Sequence, residues 1–150
     1  MILPARPKKQ SGFTLIEILI VIALIGIIGT AFLSNFFSSI ARGRDSRRKQ
    51  DLRSIAQALE LYYSDNQSYP DSLPAVGVKF THPDNPDTLY LQETPGDPQT
   101  DKIYCYESDG SWYRLTANLE NTSDPDVLTT AVWCGGIDYN YGIASPNITL

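Results

Sequence analysis

Gly12-Phe-Thr-Leu-Ile-Glu17 leads directly into Ile18–Ala41, a run of 24 residues with no charge. As a helix that run is about 36 Å long, enough to cross a hydrocarbon core of about 30 Å. Arg6, Lys8 and Lys9 stand before it and Arg42, Arg44, Arg47, Arg48 and Lys49 after it. Both flanks are basic, so charge alone does not orient the segment. Three readings compete. One is a permanent single-pass anchor, the second a secretory signal peptide cleaved near Ser39-Ile-Ala41, and the third a cleaved leader whose apolar segment stays on the mature protein. Glu17 separates them. A carboxylate near a membrane centre costs on the order of 3 kcal/mol, and neither a plain anchor nor a plain signal peptide needs one.

In these residues the chain resembles the processing motif of type IV pilins and of the pseudopilins of type II secretion. It has a short basic leader ending in Lys8-Lys9-Gln-Ser-Gly12, then Phe13, then a glutamate inside the apolar run. The resemblance implies cleavage between Gly12 and Phe13 by a prepilin peptidase, methylation of Phe13, and Glu17 as the carboxylate that aids filament assembly. It implies a leader over residues 1–12, a transmembrane helix over 13–41, and a head over 42–150 that lies outside the cytoplasm and includes the second half of the helix. The residue chemistry agrees with each step. Gly12 lets the backbone approach an active site closely. Cleavage frees an α-amino group at Phe13 with a reference pKa of about 8. Glu17 lies one turn into the mature helix, facing the positive end of its dipole, and a carboxylate in lipid seeks an ammonium partner such as a neighbouring subunit's Phe13. Capping its own helix is the plainer role for Glu17, and the two are compatible at different stages.

Beyond the apolar run, Leu52, Ile55, Ala56, Leu59, Tyr62 and Tyr63 repeat at three- and four-residue spacing, the mark of an amphipathic helix with one buried face. No proline falls between Pro7 and Pro70. The pattern predicts one helix from about Phe13 to Asp65, with Gly26, Gly29 and Gly43 as its weak points and Tyr69-Pro70 beyond its end. Placed on a helical wheel, Arg42, Arg44, Arg47, Arg48, Lys49 and Arg53 spread round the axis. A ring of cations at lipid headgroups fits that spread better than a nucleic-acid stripe.

Residues 66–101 hold six of the ten prolines and read as a long irregular connection, with a short helical or strand piece at Leu89–Leu91. Tyr69-Pro70 and Pro95-Gly-Asp97-Pro98 are similar to the pattern of major pseudopilins. Gln99-Thr100 follows where secretion members are expected to carry Trp-Gly. Ile103–Tyr106 and Ser111–Asn118 flank Asp109-Gly110, a hairpin signal, and Tyr113, Leu115 and Ala117 share one strand face. A third strand is expected at Val127–Trp133, giving a small antiparallel sheet laid on the amphipathic half of the helix.

Cys105 and Cys134 fall in this region. Outside the cytoplasm they are expected to form a disulfide, with two buried thiols as the alternative. Asp124 and Asp126, near Asn121 and Ser123, offer oxygens to a calcium ion. Major pseudopilins are similar in carrying such a site in their C-terminal loops. The spacing lacks an EF-hand pattern, and a solvated acidic loop is the plainer reading. No other cofactor is expected.

Composition narrows the function. At 42% hydrophobic and 19% charged, the chain is globular rather than disordered. Residues 1–60 carry nine Lys/Arg against four Asp/Glu, and residues 61–150 three against thirteen. The acidic half repels phosphates and is a poor nucleic-acid binder. A single histidine, His82, excludes a His-rich metal centre; it sits in a proline-rich stretch with no nucleophile motif. Gly135-Gly136 lacks phosphate-loop spacing. The expected fold is α+β and pilin-like, and the expected function is structural, not enzymatic: a type IV pilus or type II secretion pseudopilus subunit. The resemblance implies as partners copies of itself and related pilins, the peptidase, an inner-membrane assembly platform and the bilayer. It places the chain in the cytoplasmic membrane as a single-pass protein, and then in a filament. The alternative is an anchored or secreted extracellular binding module that only mimics the motif.

Overall fold

The computed structural model describes residues 12–150, side chains at 31–35 excepted. Of the expected leader only Gly12 is among them; residues 1–11 lie outside the described set. Helix α1 (Leu15–Asn66) is followed by strands β1 (Phe80–Thr81), β2 (Leu89–Leu91), β3 (Cys105–Ser108), β4 (Tyr113–Ala117), β5 (Val132–Cys134), β6 (Ile137–Tyr139) and β7 (Tyr141–Ala144). Gly26, Gly29 and Gly43, the expected weak points, are helical. The chain divides into two units, residues 1–38 and 39–150.

In the first unit the helix starts just after Thr14. Glu17 N–H donates to Thr14 Oγ1 (3.3 Å) and Thr14 N–H to Glu17 Oε2 (3.5 Å), the reciprocal arrangement of a Thr-x-x-Glu capping box. From Leu15 to Ile28 the large apolar side chains are at least 45% exposed. Among the described residues no helix is long and apolar enough to cross a membrane; the described side chains of the apolar run stop at Thr30 and resume at Phe36.

In the second unit α1 buries the face that its periodicity announced: Leu52, Ile55, Ala56 and Leu59. They form one core with Tyr113, Leu115 and Ala117 of β4, and Tyr62 and Tyr63 pack at its edge. Gln67, with φ of 57°, ends the helix in the left-handed region, its N–H donating to Tyr63 O (2.8 Å). The irregular connection is fixed by aromatic packing. Tyr62 stacks on Phe80 at 5.4 Å, Phe80 meets Tyr90 at 5.3 Å, and β1 pairs with β2.

The main sheet is antiparallel in the order β3-β4-β7. The hairpin at Asp109-Gly110 is as expected, with Asp109 Oδ1 accepting the N–H groups of Ser111 (2.9 Å) and Trp112 (3.2 Å). The third strand is not. Of the expected Val127–Trp133 only Val132 and Trp133 are extended, in β5, which pairs with β6 in a separate ribbon; residues 127–131 are bends and irregular backbone, with Val127 N–H turned back to Asp124 O. The place beside β4 goes to β7, whose Gly142 faces Thr116. A Cβ on Gly142 would stand 3.0 Å from both Leu115 O and Thr116 Cγ2, so the approach of the two strands needs a glycine. Gly135 and Gly136, both at positive φ, make the two-residue turn between β5 and β6.

Candidate functional site

Two arrangements stand out, one at the expected processing segment and one that the sequence did not single out. At the first, Gly12 and Phe13 precede the helix in an irregular, exposed segment, with Phe13 81% exposed. A peptide bond there is open to an enzyme. Glu17 is exposed, and among the described residues its carboxylate is held by the loose capping pair with Thr14.

The second is a charged cluster where helix α1 meets the head's loops. On α1, Arg44 stands four residues before Arg48, and Asp45 three and four before Arg48 and Lys49, so each of these pairs is neighbouring on the helix surface. Arg48 is fully buried. Its Nε and Nη2 donate to the two oxygens of Asp97 (2.7 and 2.9 Å), Nη1 to Asp45 Oδ1 and Glu120 Oε1 (both 2.7 Å), and Nη2 also to Gln99 Oε1 (2.8 Å). Every N–H of the guanidinium is used. Asp45, 2% exposed, in turn accepts the backbone N–H of Glu120 (2.9 Å) and Asn121 (2.8 Å), and Arg44 adds a forked pair to Glu120 (2.7 and 2.5 Å).

Electrostatics follow. Burial alone would lower the Arg48 guanidinium, but its bonds to Asp97, Glu120 and Asp45 outweigh that and raise it. The Arg44 hydrogen bond, joined by Arg48 and opposed by burial, pulls Glu120 down to about 2. Burial raises Asp51, against the hydrogen bond that Tyr104 donates to it at 2.8 Å.

Three of the six cations read as a headgroup ring, Arg44, Arg48 and Lys49, therefore serve the head's own acids. Arg47 remains exposed beside Asp51 at 3.9 Å. The cluster carried a signal of its own: Arg48 stands one turn before Leu52, on the same stripe as Ile55 and Leu59. Asp97 and Gln99, noticed only as part of a proline-rich pattern, are two of its anchors.

The remaining candidates fall as follows. Cys105 and Cys134 form a disulfide with Cα atoms 6.2 Å apart, tying the β5–β6 ribbon to the start of β3. Asp124 and Asp126 meet Lys49 Nζ at 2.5 and 2.7 Å. His82 Nδ1 accepts the Asp84 backbone N–H (3.1 Å). A groove of about 630 Å³ runs under the connection, between Leu73, Val76, Ile103 and Ile55, and its lining contains neither histidine nor cysteine.

The profile described as "Prokaryotic N-terminal methylation motif" matches residues 7–33. The profile described as "Type II secretion system (T2SS), protein G" matches residues 35–118, more than half of the chain. The chain belongs to the type II secretion system protein G family. Among its relatives, the type II secretion system core protein G of Pseudomonas aeruginosa is 35% identical over 98 residues, 61% of this chain and 69% of that one. The protein of the same name from Aeromonas hydrophila is 31% identical over 100 residues, 62% of this chain and 70% of its own. The type IV major pilin protein PilA of Myxococcus xanthus is 35% identical over 69 residues, 46% of this chain and 31% of that protein. No solved structure matches. The protein G family is structural, of the pilin and pseudopilin kind, and not enzymatic. Its match covers the helix face, Asp97 and the β3–β4 hairpin, and ends at residue 118, before the loop that carries Glu120, Asp124 and Asp126.

Proposed function

We propose that this chain is a structural subunit of a type II secretion pseudopilus, or of a related type IV pilus. In this reading a prepilin peptidase cuts it after Gly12, Phe13 is methylated, and copies of it and related pilins polymerise through the N-terminal helix. Before assembly it waits in the cytoplasmic membrane with residues 13–41 in the bilayer and 42–150 outside the cytoplasm, and an inner-membrane platform moves it into the filament. The observation that carries this reading is the exposed apolar surface of Leu15–Ile28, which lies within the stretch that matches the methylation motif. So much contiguous apolar surface requires lipid or neighbouring helices, and the uncharged run Ile18–Ala41 supplies about 36 Å of helix for either.

Glu17 links the two environments. In the single subunit it caps its own helix through Thr14. In a filament the Phe13 ammonium of an adjacent subunit offers a charge-assisted bond, which offsets the cost of a carboxylate in apolar surroundings and sets the axial register.

Mass spectrometry of the mature N-terminus is expected to find N-methylated Phe13; an N-terminus at Arg42 would point to an ordinary signal peptide. Glu17→Ala removes a charge that costs on the order of 3 kcal/mol in the bilayer. The variant is expected to insert and to be cut at Gly12 yet fail to form filaments. Wild-type assembly by Glu17→Ala would reduce the carboxylate to a local cap and remove the register argument.

A further inference from the structure

Major pseudopilins are similar in carrying a calcium site in their C-terminal loops, Asp124 and Asp126 are the candidates for it here, and the residues present do not fit it. A calcium ion takes six to eight oxygens at about 2.3–2.6 Å. Lys49 Nζ already stands 2.5 Å from Asp124 Oδ1 and 2.7 Å from Asp126 Oδ2, which is the position between the carboxylates that a cation would take. Asp124 Oδ1 also accepts the Asp126 backbone N–H at 3.0 Å. Both lone pairs of that oxygen therefore face hydrogen-bond donors and are not free for a metal. Among the described residues no group of three His, Cys, Asp or Glu is placed to hold a metal ion.

We propose that the Lys49 ammonium is a built-in cation that closes the loop over residues 119–127, so that the loop is formed without any divalent ion. Helix register makes this possible. Asp45 and Lys49 are one turn apart on α1. Asp45 holds the start of the loop through the N–H groups of Glu120 and Asn121, and Lys49 holds its far side through Asp124 and Asp126. The lysine is a poor surface residue and a good clamp. Its side chain is only 16% exposed, that of Asp124 18%, and its ammonium lies 5.7 Å from the centre of the Tyr141 ring. The pair is also mutually reinforced, since hydrogen bonding to Lys49 holds the Asp124 carboxyl below its usual range.

The inference stands on the loop's geometry and is independent of filament assembly, so its test uses the whole purified protein in detergent. Calcium chloride at millimolar concentration and a chelator are each expected to leave the thermal midpoint and the amide exchange of Asp124, Asp126 and Val127 unchanged, and calorimetric titration with calcium chloride to show no binding. Lys49→Met is expected to lower the midpoint by a few degrees and to speed exchange at those three amides. Should that variant fail to fold, Asp126→Asn, at a half-exposed residue, removes one arm of the clamp and is expected to speed exchange alone. Calcium uptake by the wild type would overturn the proposal, as would wild-type exchange rates in both variants.

Discussion

Replacing Arg48 by methionine isolates the cluster that joins α1 to the loops. The substitution keeps the straight aliphatic stem but removes five hydrogen bonds, leaving the carboxylates of Asp45 and Asp97 in place with side-chain exposures of 2% and 1%. Asp45 retains two backbone donors and Asp97 one, from Gln99 N–H. The remaining guanidinium, Arg44, gives its hydrogen bonds to Glu120 and acts on Asp45 only through charge. Removing one partner of a buried pair costs about 3–5 kcal/mol. A unit the size of residues 39–150 loses about 3–6 °C of thermal midpoint per kcal/mol. The midpoint should therefore fall by about 10–30 °C, followed by near-ultraviolet circular dichroism of the detergent-solubilised protein, which reports on the core tyrosines. Adding Asp45→Asn and Asp97→Asn should recover part of the loss at neutral pH. A deficit below about 1 kcal/mol, the scale of an exposed ion pair, would refute the claim that Arg48 organises the junction.

Two further outcomes are expected. The Glu120 carboxyl sits at about 2 in the folded protein against about 4.5 for an unperturbed glutamate, so it contributes stability that is complete above the higher value and lost as the pH falls through the lower one. By size this is roughly 3 kcal/mol; Glu120→Gln should flatten acid unfolding between those limits, and an unchanged acid profile would contradict it. For the disulfide, alkylation should label Cys105 and Cys134 only after reduction, and the double Cys→Ser variant should lose roughly 3–4 kcal/mol for a loop spanning 29 positions. Labelling without reductant would remove that staple.

The family, the long helix and the β3–β4 hairpin were legible in the sequence, because each depends on neighbours in the chain. A three- and four-residue apolar rhythm places Leu52, Ile55 and Leu59 on one face wherever the rest of the chain goes. An Asp-Gly pair between alternating strands turns the chain locally. The methylation motif is likewise contiguous, so Gly12, Phe13 and Glu17 needed no tertiary information to be singled out. What escaped depended on distant partners. Tyr141–Ala144 became the third strand of the sheet because Gly142 allows the backbone of β4 to come close, while Val127–Thr130 went into bends and irregular backbone. The basic residues read as a ring for headgroups because a helical wheel shows direction but not what stands there. Arg48 found Asp97 and Glu120 at separations of 49 and 72 residues, and Lys49 found Asp124 at 75. Charge has no periodicity that names its partner. Whether a cation is solvated, bound to lipid or buried among carboxylates is decided only when the fold brings the opposite charges to it and excludes water.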